Sequence, residues 1–263
     1  MSHAYLVVLM PPSVVNFDSK ETKIWEVVNK LDKSAQSVFE AAVSSYIGDK
    51  MAPYSENLEV DEYSEKCWCV DVESNSAARE AAEKKFGPFD NIRKAYRALP
   101  VAQQTDETWE KMCSSYNEYE REFELAHPMH GKAKQDCSEC LGSGTRKTTY
   151  NPKSKWDWYV IGGRWNGVLT RNERNDTKGG FNFDDEFHTL SENMAMLSSL
   201  APLTDKDVPH AILTPDGEWN EHGEMGWWGI MKDGVEKDTW KQQALTILNA
   251  HLDHFAIGVD YHI

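Results

Sequence analysis

The opening run AYLVVLMP constrains this chain more than any other segment. It is apolar throughout and is closed by Pro11 and Pro12, so it reads as a buried strand. The last segment, HFAIGVDYHI, alternates in the same strand-like way. Between these ends helical and strand-like stretches are interspersed, and the chain closes on a strand–helix–strand sequence. This predicts an α+β fold with a mainly antiparallel sheet, a ferredoxin-like arrangement being one form of it, and with both terminal strands inside that sheet.

The interior is read from its periodicities. A helix is expected from Lys20 to about Ile47, and a short strand in KCWCVDVE, where Cys67, Cys69 and Asp71 alternate with Trp68, Val70 and Val72. Helical composition resumes at Ser76, is punctuated by Gly87-Pro88, and runs to about Leu99. Another helix starts near Thr105, and its stripe of Trp109, Met112, Cys113, Tyr116, Tyr119 and Phe123 has the spacing of a core face. TRNERNDTKGGFNFDDEF reads as a loop or flap. VPHAILT and GWWGIM read as two strands around the turn PDGE, and DTWKQQALTILNAHL as an amphipathic helix capped by Asp238. The expected organisation is an N-terminal part, 1–126, a cysteine-rich connector, 127–150, and a C-terminal part, 151–263, packed together as one unit.

Charge limits the partners. The chain has 263 residues, with 43 acidic against 28 basic side chains and a formal net charge of -15. Such a chain repels nucleic acid and anionic membrane unless a local basic patch overrides the field. No apolar run approaches the roughly 20 residues that a membrane span needs. The N-terminus has neither a basic leader nor a small-residue cleavage site. The five cysteines are unevenly placed, which suits a reducing compartment better than a disulfide scaffold. A cytoplasmic location is the expectation.

HPMHGKAKQDCSECLGSG offers His127, His130, Cys137 and Cys140 as an H-x2-H…C-x2-C set. Four nitrogen and sulfur ligands complete the tetrahedron that structural zinc prefers, with no open position for chemistry. Cys113 is the substitute ligand if one histidine fails, and the bland alternative is reduced surface cysteines beside loop histidines. CSECLGSG resembles one C-x-x-C-x-G-x-G unit of the DnaJ-type zinc domain. That resemblance implies glycine N–H groups facing the thiolates; with a single unit it does not imply chaperone function.

The segment WDWYVIGGRW concentrates aromatic surface beside a guanidinium. As a strand it puts Trp156, Trp158 and Val160 on one face and Asp157, Tyr159 and Ile161 on the other. Gly162-Gly163 ends the strand and lets another group approach the backbone. Arg164 and Trp165 follow, and a guanidinium beside aromatic faces suits an anionic group attached to a flat ring. The plainer account has the tryptophans in the core and Arg164 paired with a buried acid. Further along stand His210, Asp216, Glu218, His222, Glu224, Trp227 and Trp228. In the last strand Asp260 and His262 point to one face, and His210 could join them as a divalent-metal or acid–base set. The alternative is that Asp260 and His262 decorate the solvent face of an edge strand.

Taken together, W-D-W-Y-x-I-G-G-R-W, T-P-D-G-E-W, G-E-M-G-W-W-G and the terminal D-x-H-I resemble a family of uncharacterised proteins of bacteria and their phages. The resemblance covers roughly the second half of the chain and implies one folded unit, with no activity to carry over and a phage–host conflict as the setting it suggests. Two classes of function follow. The first is a pocket lined by Trp158, Tyr159, Arg164, Trp165 and Trp228 that binds a nucleotide-like or other anionic planar ligand. Hydrolysis there would fall to His210, Glu224, Asp260 or His262. The second is a non-catalytic acidic interaction protein, an inhibitor or DNA mimic engaging a host protein. A zinc-dependent nucleic-acid binder is disfavoured by the charge.

Overall fold

The two ends of the chain lie side by side in one sheet: His3 stands opposite His262, and Met10 opposite Phe255, in an antiparallel ladder. The computed structural model describes residues 3–16, 28, 30–169, 190–225, 231–232 and 234–262. In chain order the elements begin β1 (His3–Met10), α1 (Lys33–Met51), β2 (Tyr63–Lys66), α2 (Val72–Phe86), α3 (Phe89–Arg97), α4 (Asp106–Ala126), β3 (Thr145–Thr148) and β4 (Trp158–Ile161). They continue β5 (Met194–Met196), α5 (Leu197–Leu200), β6 (Ala211–Leu213), β7 (Trp219–Glu221), β8 (Glu224–Met225), β9 (Met231–Lys232), α6 (Lys237–Ala250) and β10 (Phe255–His262). The fold is α+β and its strand pairs are mainly antiparallel; β1 and β6 run parallel.

The chain divides into two compact units, Met1–Val60 with Tyr150–Ile263, and Asp61–Thr149. The expected boundary at 126 therefore falls inside the second unit: the helical stretch before it and the cysteine-rich connector after it belong together.

In the first unit the sheet order is β4-β10-β1-β6-β7, with β5 also on β10. Strand alternation sorts the central strands into two apolar faces. Leu6, Val8, Met10, Phe255, Ile257, Val259 and Tyr261 pack with Phe39, Val43, Ile47 and Met51 of α1. Tyr5, Val7, Leu9, Ala256 and Ile212 pack with Trp240, Ala244 and Leu248 of α6. Burying each large aliphatic side chain contributes roughly 1.5–3 kcal/mol, so these two faces carry the unit. α1 starts at a cap, the Asp32 carboxylate accepting from the Ala35 N–H at 2.9 Å. Residues 20–27 and 29 of the helix expected from Lys20 lie outside the described residues, and 30–32 precede the helix as a turn and its cap.

In the second unit β2 pairs with β3, and α2 and α4 pack together. α4 starts after Thr105, whose hydroxyl accepts from the Thr108 N–H at 3.2 Å. Its Cys113 and Tyr116 are buried, and Tyr116 meets Phe86 and Phe89 ring to ring. Cys113 and Tyr116 of the expected stripe are thus core, and Trp109, Met112, Tyr119 and Phe123 are half-buried. Gly87, with φ of 86°, separates α2 from α3 where Gly87-Pro88 was expected to interrupt.

Several local expectations are corrected. KCWCVDVE is not a strand: β2 ends at Lys66 and residues 67–71 form turns leading into α2. α6 follows Glu236, whose side chain makes no cap, and Asp238 sits in its first turn bonded to Lys241 at 2.9 Å. The partner of Ala211–Leu213 is Trp219–Glu221, immediately after the turn; most of GWWGIM lies outside the described residues. Trp156 sits just before β4 in a bridge to Ser55, packed with Tyr159, and so does not share the face of Trp158.

Candidate metal centre and histidine site

Two turns in the second unit bring four thiols together. Cys67 and Cys69 follow β2, and Cys137 and Cys140 precede β3, so pairing of the two strands draws the cysteine turns to one end. The Cys67 N–H donates to the Gly144 carbonyl at 2.9 Å and continues that ladder. All four side chains are buried, and their sulfur atoms lie within 4.8 Å of one another. Cys67 and Cys137 are 3.8 Å apart and Cys69 and Cys140 3.4 Å apart, sulfur to sulfur. A disulfide would need about 2.0 Å. A tetrahedral ion with metal–sulfur bonds of about 2.3 Å holds its sulfurs about 3.8 Å apart. The cluster could hold a metal ion through four sulfurs.

The turn after Cys140 fits that role. Leu141, Gly142 and Gly144 all have positive φ, at 49°, 81° and 82°. Burial pushes the Cys140 thiol up, but hydrogen bonds from the Gly144 and Gly142 backbone and from Cys69 and Cys67 outweigh it and bring the thiol to about 7. Cys69, by contrast, is pushed up to about 12 by burial and by its thiol neighbours. Cys140 is therefore held closer to its thiolate form than Cys69.

The expected ligand set is corrected in its histidines. His127 Nδ1 accepts from the Met129 N–H at 3.3 Å, and His130 Nδ1 lies 3.6 Å from Asp71 and 3.5 Å from Glu124. Neither belongs to the sulfur cluster, and Cys113 is in the core of α4. Cys67 and Cys69 take the places of the histidines. Reading KCWCVDVE as a strand hid them. The clue was the close Cys-x-Cys spacing itself, which with Cys-x-x-Cys makes two pairs and leaves Cys113 as the odd one.

The first unit gathers a different set at the end of its central strands. Asp260 and His262 are on β10, flanked by β1 and β4, and only 2% and 4% exposed, so the edge-strand alternative is overturned. Asp260 Oδ1 lies 2.9 Å from His3 Nδ1, and its Oδ2 accepts from the Arg164 N–H at 3.1 Å. His262 Nδ1 lies 2.7 Å from Asp157 Oδ1. A carboxylate accepts, so each Nδ1 donates to its carboxylate and Nε2 is the ring nitrogen that this contact leaves over. His262 Nε2 is buried and without a hydrogen-bond partner. The His3 and His262 ring centroids are 5.1 Å apart, and Trp158 stacks on His262 at 5.3 Å.

The glycine pair makes this arrangement possible. Gly162 and Gly163 have φ of 80° and 53°. A Cβ on Gly162 would lie 2.4 Å from the Asn193 side chain, and one on Gly163 2.5 Å from Asp260. Only glycine lets the backbone carry the Arg164 N–H up to a buried carboxylate.

The remaining expected site residues are dispersed. Trp158 is 44% exposed beside His262, while Tyr159 packs into the α1 face of the sheet and cannot line the same pocket. Trp165 stacks on Tyr5 at 5.7 Å, and Arg164 is exposed. His210 lies 6.3 Å from both the Tyr261 and the His222 rings, and burial pushes its pKa down. Its ring neighbours are Tyr261 and His222, and His3 holds the place beside Asp260 that His210 was expected to take. Glu224 is described as strand backbone only, and Trp228 lies outside the described residues. No helix among the described residues is long and apolar enough to cross a membrane. In comparisons with known proteins, no family model, no curated protein and no solved structure matches the chain.

Proposed function

We propose that the first unit binds a small ligand with a planar part and an anionic group at the end of β1, β4 and β10, and that zinc braces the second unit. The observation that carries the ligand site is His262: a buried imidazole with Nδ1 held by Asp157 and Nε2 without a partner, under an exposed tryptophan. Buried polar atoms are normally paired, and an unpaired one beside an accessible aromatic face suits a ligand atom. Trp158 offers stacking surface, Arg164 is the exposed basic residue whose backbone N–H meets Asp260, and Nε2 of His262 is a base that could take a proton in a hydrolytic step. Zinc follows from the donor set, since four thiolates at tetrahedral spacing suit it and leave no open position.

The test is calorimetric titration with a panel of nucleotides and other planar anions. Binding by the wild type and loss of it in Trp158→Ala and His262→Gln, with the fold retained, supports the reading; absence of binding across the panel overturns it. A second reading, that the protein docks on another protein, is favoured by Trp68 and Leu141. These side chains stand on the two cysteine turns and are 59% and 83% exposed. Trp68→Ala and Leu141→Ala would then abolish a pull-down that the His262 variant leaves intact.

A further inference from the structure

The histidine cluster has a geometry that suits a cation. Asp157 and Asp260 each hold one imidazole of this cluster by hydrogen bond, and Asp260 is buried. Buried charges are paired or coordinate metals. Each imidazole presents its Nδ1 to a carboxylate, the orientation in which metal-ligating histidines are habitually held, with Nε2 left to bind. Two imidazoles bound through nitrogen at about 2.0–2.1 Å to one tetrahedral ion stand about 5 Å apart, centroid to centroid. The observed separation is 5.1 Å.

We propose that His3 and His262 together bind a divalent transition-metal ion through their Nε2 atoms, with Asp260 and Asp157 as the carboxylates that orient them. Imidazole nitrogen suits zinc, copper, nickel and iron. Two protein ligands leave positions for water and for an anionic group, so the ion would supply the positive charge that an anionic ligand meets at this acidic cluster. The site is separate from the four cysteines; it shares His262 Nε2 with the ligand reading above, and with the ion bound there a ligand atom meets the ion in place of the imidazole. It is also unlike Asp71, Glu124 and His130 in the second unit, where the Lys66 ammonium already lies 2.6 Å from Asp71.

The test starts from protein whose cysteine site has been filled with one equivalent of zinc, and titrates further zinc or nickel by calorimetry and by nitrogen NMR of the imidazoles. One additional equivalent is expected, with the Nε2 resonances of His3 and His262 moving together while both Nδ1–H signals persist. His3→Ala and His262→Ala should each remove this uptake and retain the cysteine-bound zinc. Asp157→Asn and Asp260→Asn should weaken it by about 10–100-fold. An unchanged imidazole spectrum on adding metal, or uptake that survives His262→Ala, overturns the proposal. The wild-type NMR titration decides the matter even if a variant fails to fold.

Discussion

His262 Nδ1 lies 2.7 Å from Asp157 Oδ1, and the same carboxylate oxygen accepts from the Trp158 N–H at 2.8 Å. Asp157 thereby sets both the imidazole and the start of the strand whose tryptophan stacks on it. Removing the carboxylate with Asp157→Ala leaves a buried N–H unpaired. The expected loss is about 1–3 kcal/mol of stability, with the Nδ1–H signal of His262 weakened or exchanged, read by denaturant titration and imidazole NMR.

Gly163 is expected to tolerate no side chain. Gly163→Ala combines a positive φ of 53° with a Cβ 2.5 Å from Asp260, whereas Gly217→Ala has a φ of 90° and open space. Overpacking of this kind costs about 1–3 kcal/mol beyond backbone strain, so Gly163→Ala should be the more destabilising of the two. Equal midpoints in urea for the two variants would contradict that.

Removing a cysteine ligand should act within the second unit. Cys140→Ser is expected to abolish zinc retention, and Cys113→Ser to leave it unchanged, because Cys113 is core and outside the cluster. Chelation of the wild type should speed amide exchange around residues 67–71 and 137–144 while the β1–β10 ladder stays protected. Metal analysis and hydrogen-exchange mass spectrometry read both outcomes.

His210 should make the fold acid-sensitive. Burial, the largest influence, pushes its folded pKa below the ordinary 6.5, partly offset by Glu221. The unfolded state then binds the proton first, so stability is lost as pH falls below 6.5 toward the folded value and is unaffected by this group above it. His210→Gln is expected to flatten that part of the stability profile, measured as urea midpoints between pH 7 and 5.

Half of the cysteine cluster is legible in the sequence and half is not. Cys137-x-x-Cys140 with its glycines was legible as half a metal site, because such spacing lets one turn present two thiols. The other half was not, since histidines near in sequence look as suitable as cysteines far from it. Cys69 and Cys140 are 71 positions apart, and only pairing of β2 with β3 brings them to 3.4 Å. The aromatic segment behaved similarly. That Gly162-Gly163 ends a strand beside a close neighbour follows from residue type; that the neighbours are Asn193 and Asp260 does not.

By itself, the sequence determined the two buried terminal strands, the α+β class, the core stripe of α4 and one thiol pair, all of which rest on local periodicity, residue type and turn chemistry. Tertiary structure alone decided that the chain's two ends are partners, placing His3 rather than His210 beside Asp260, and that Trp158 and Tyr159 serve opposite faces. The reason is physical: local patterns specify which side of an element is apolar, whereas strand pairing specifies which distant side chains share a buried site.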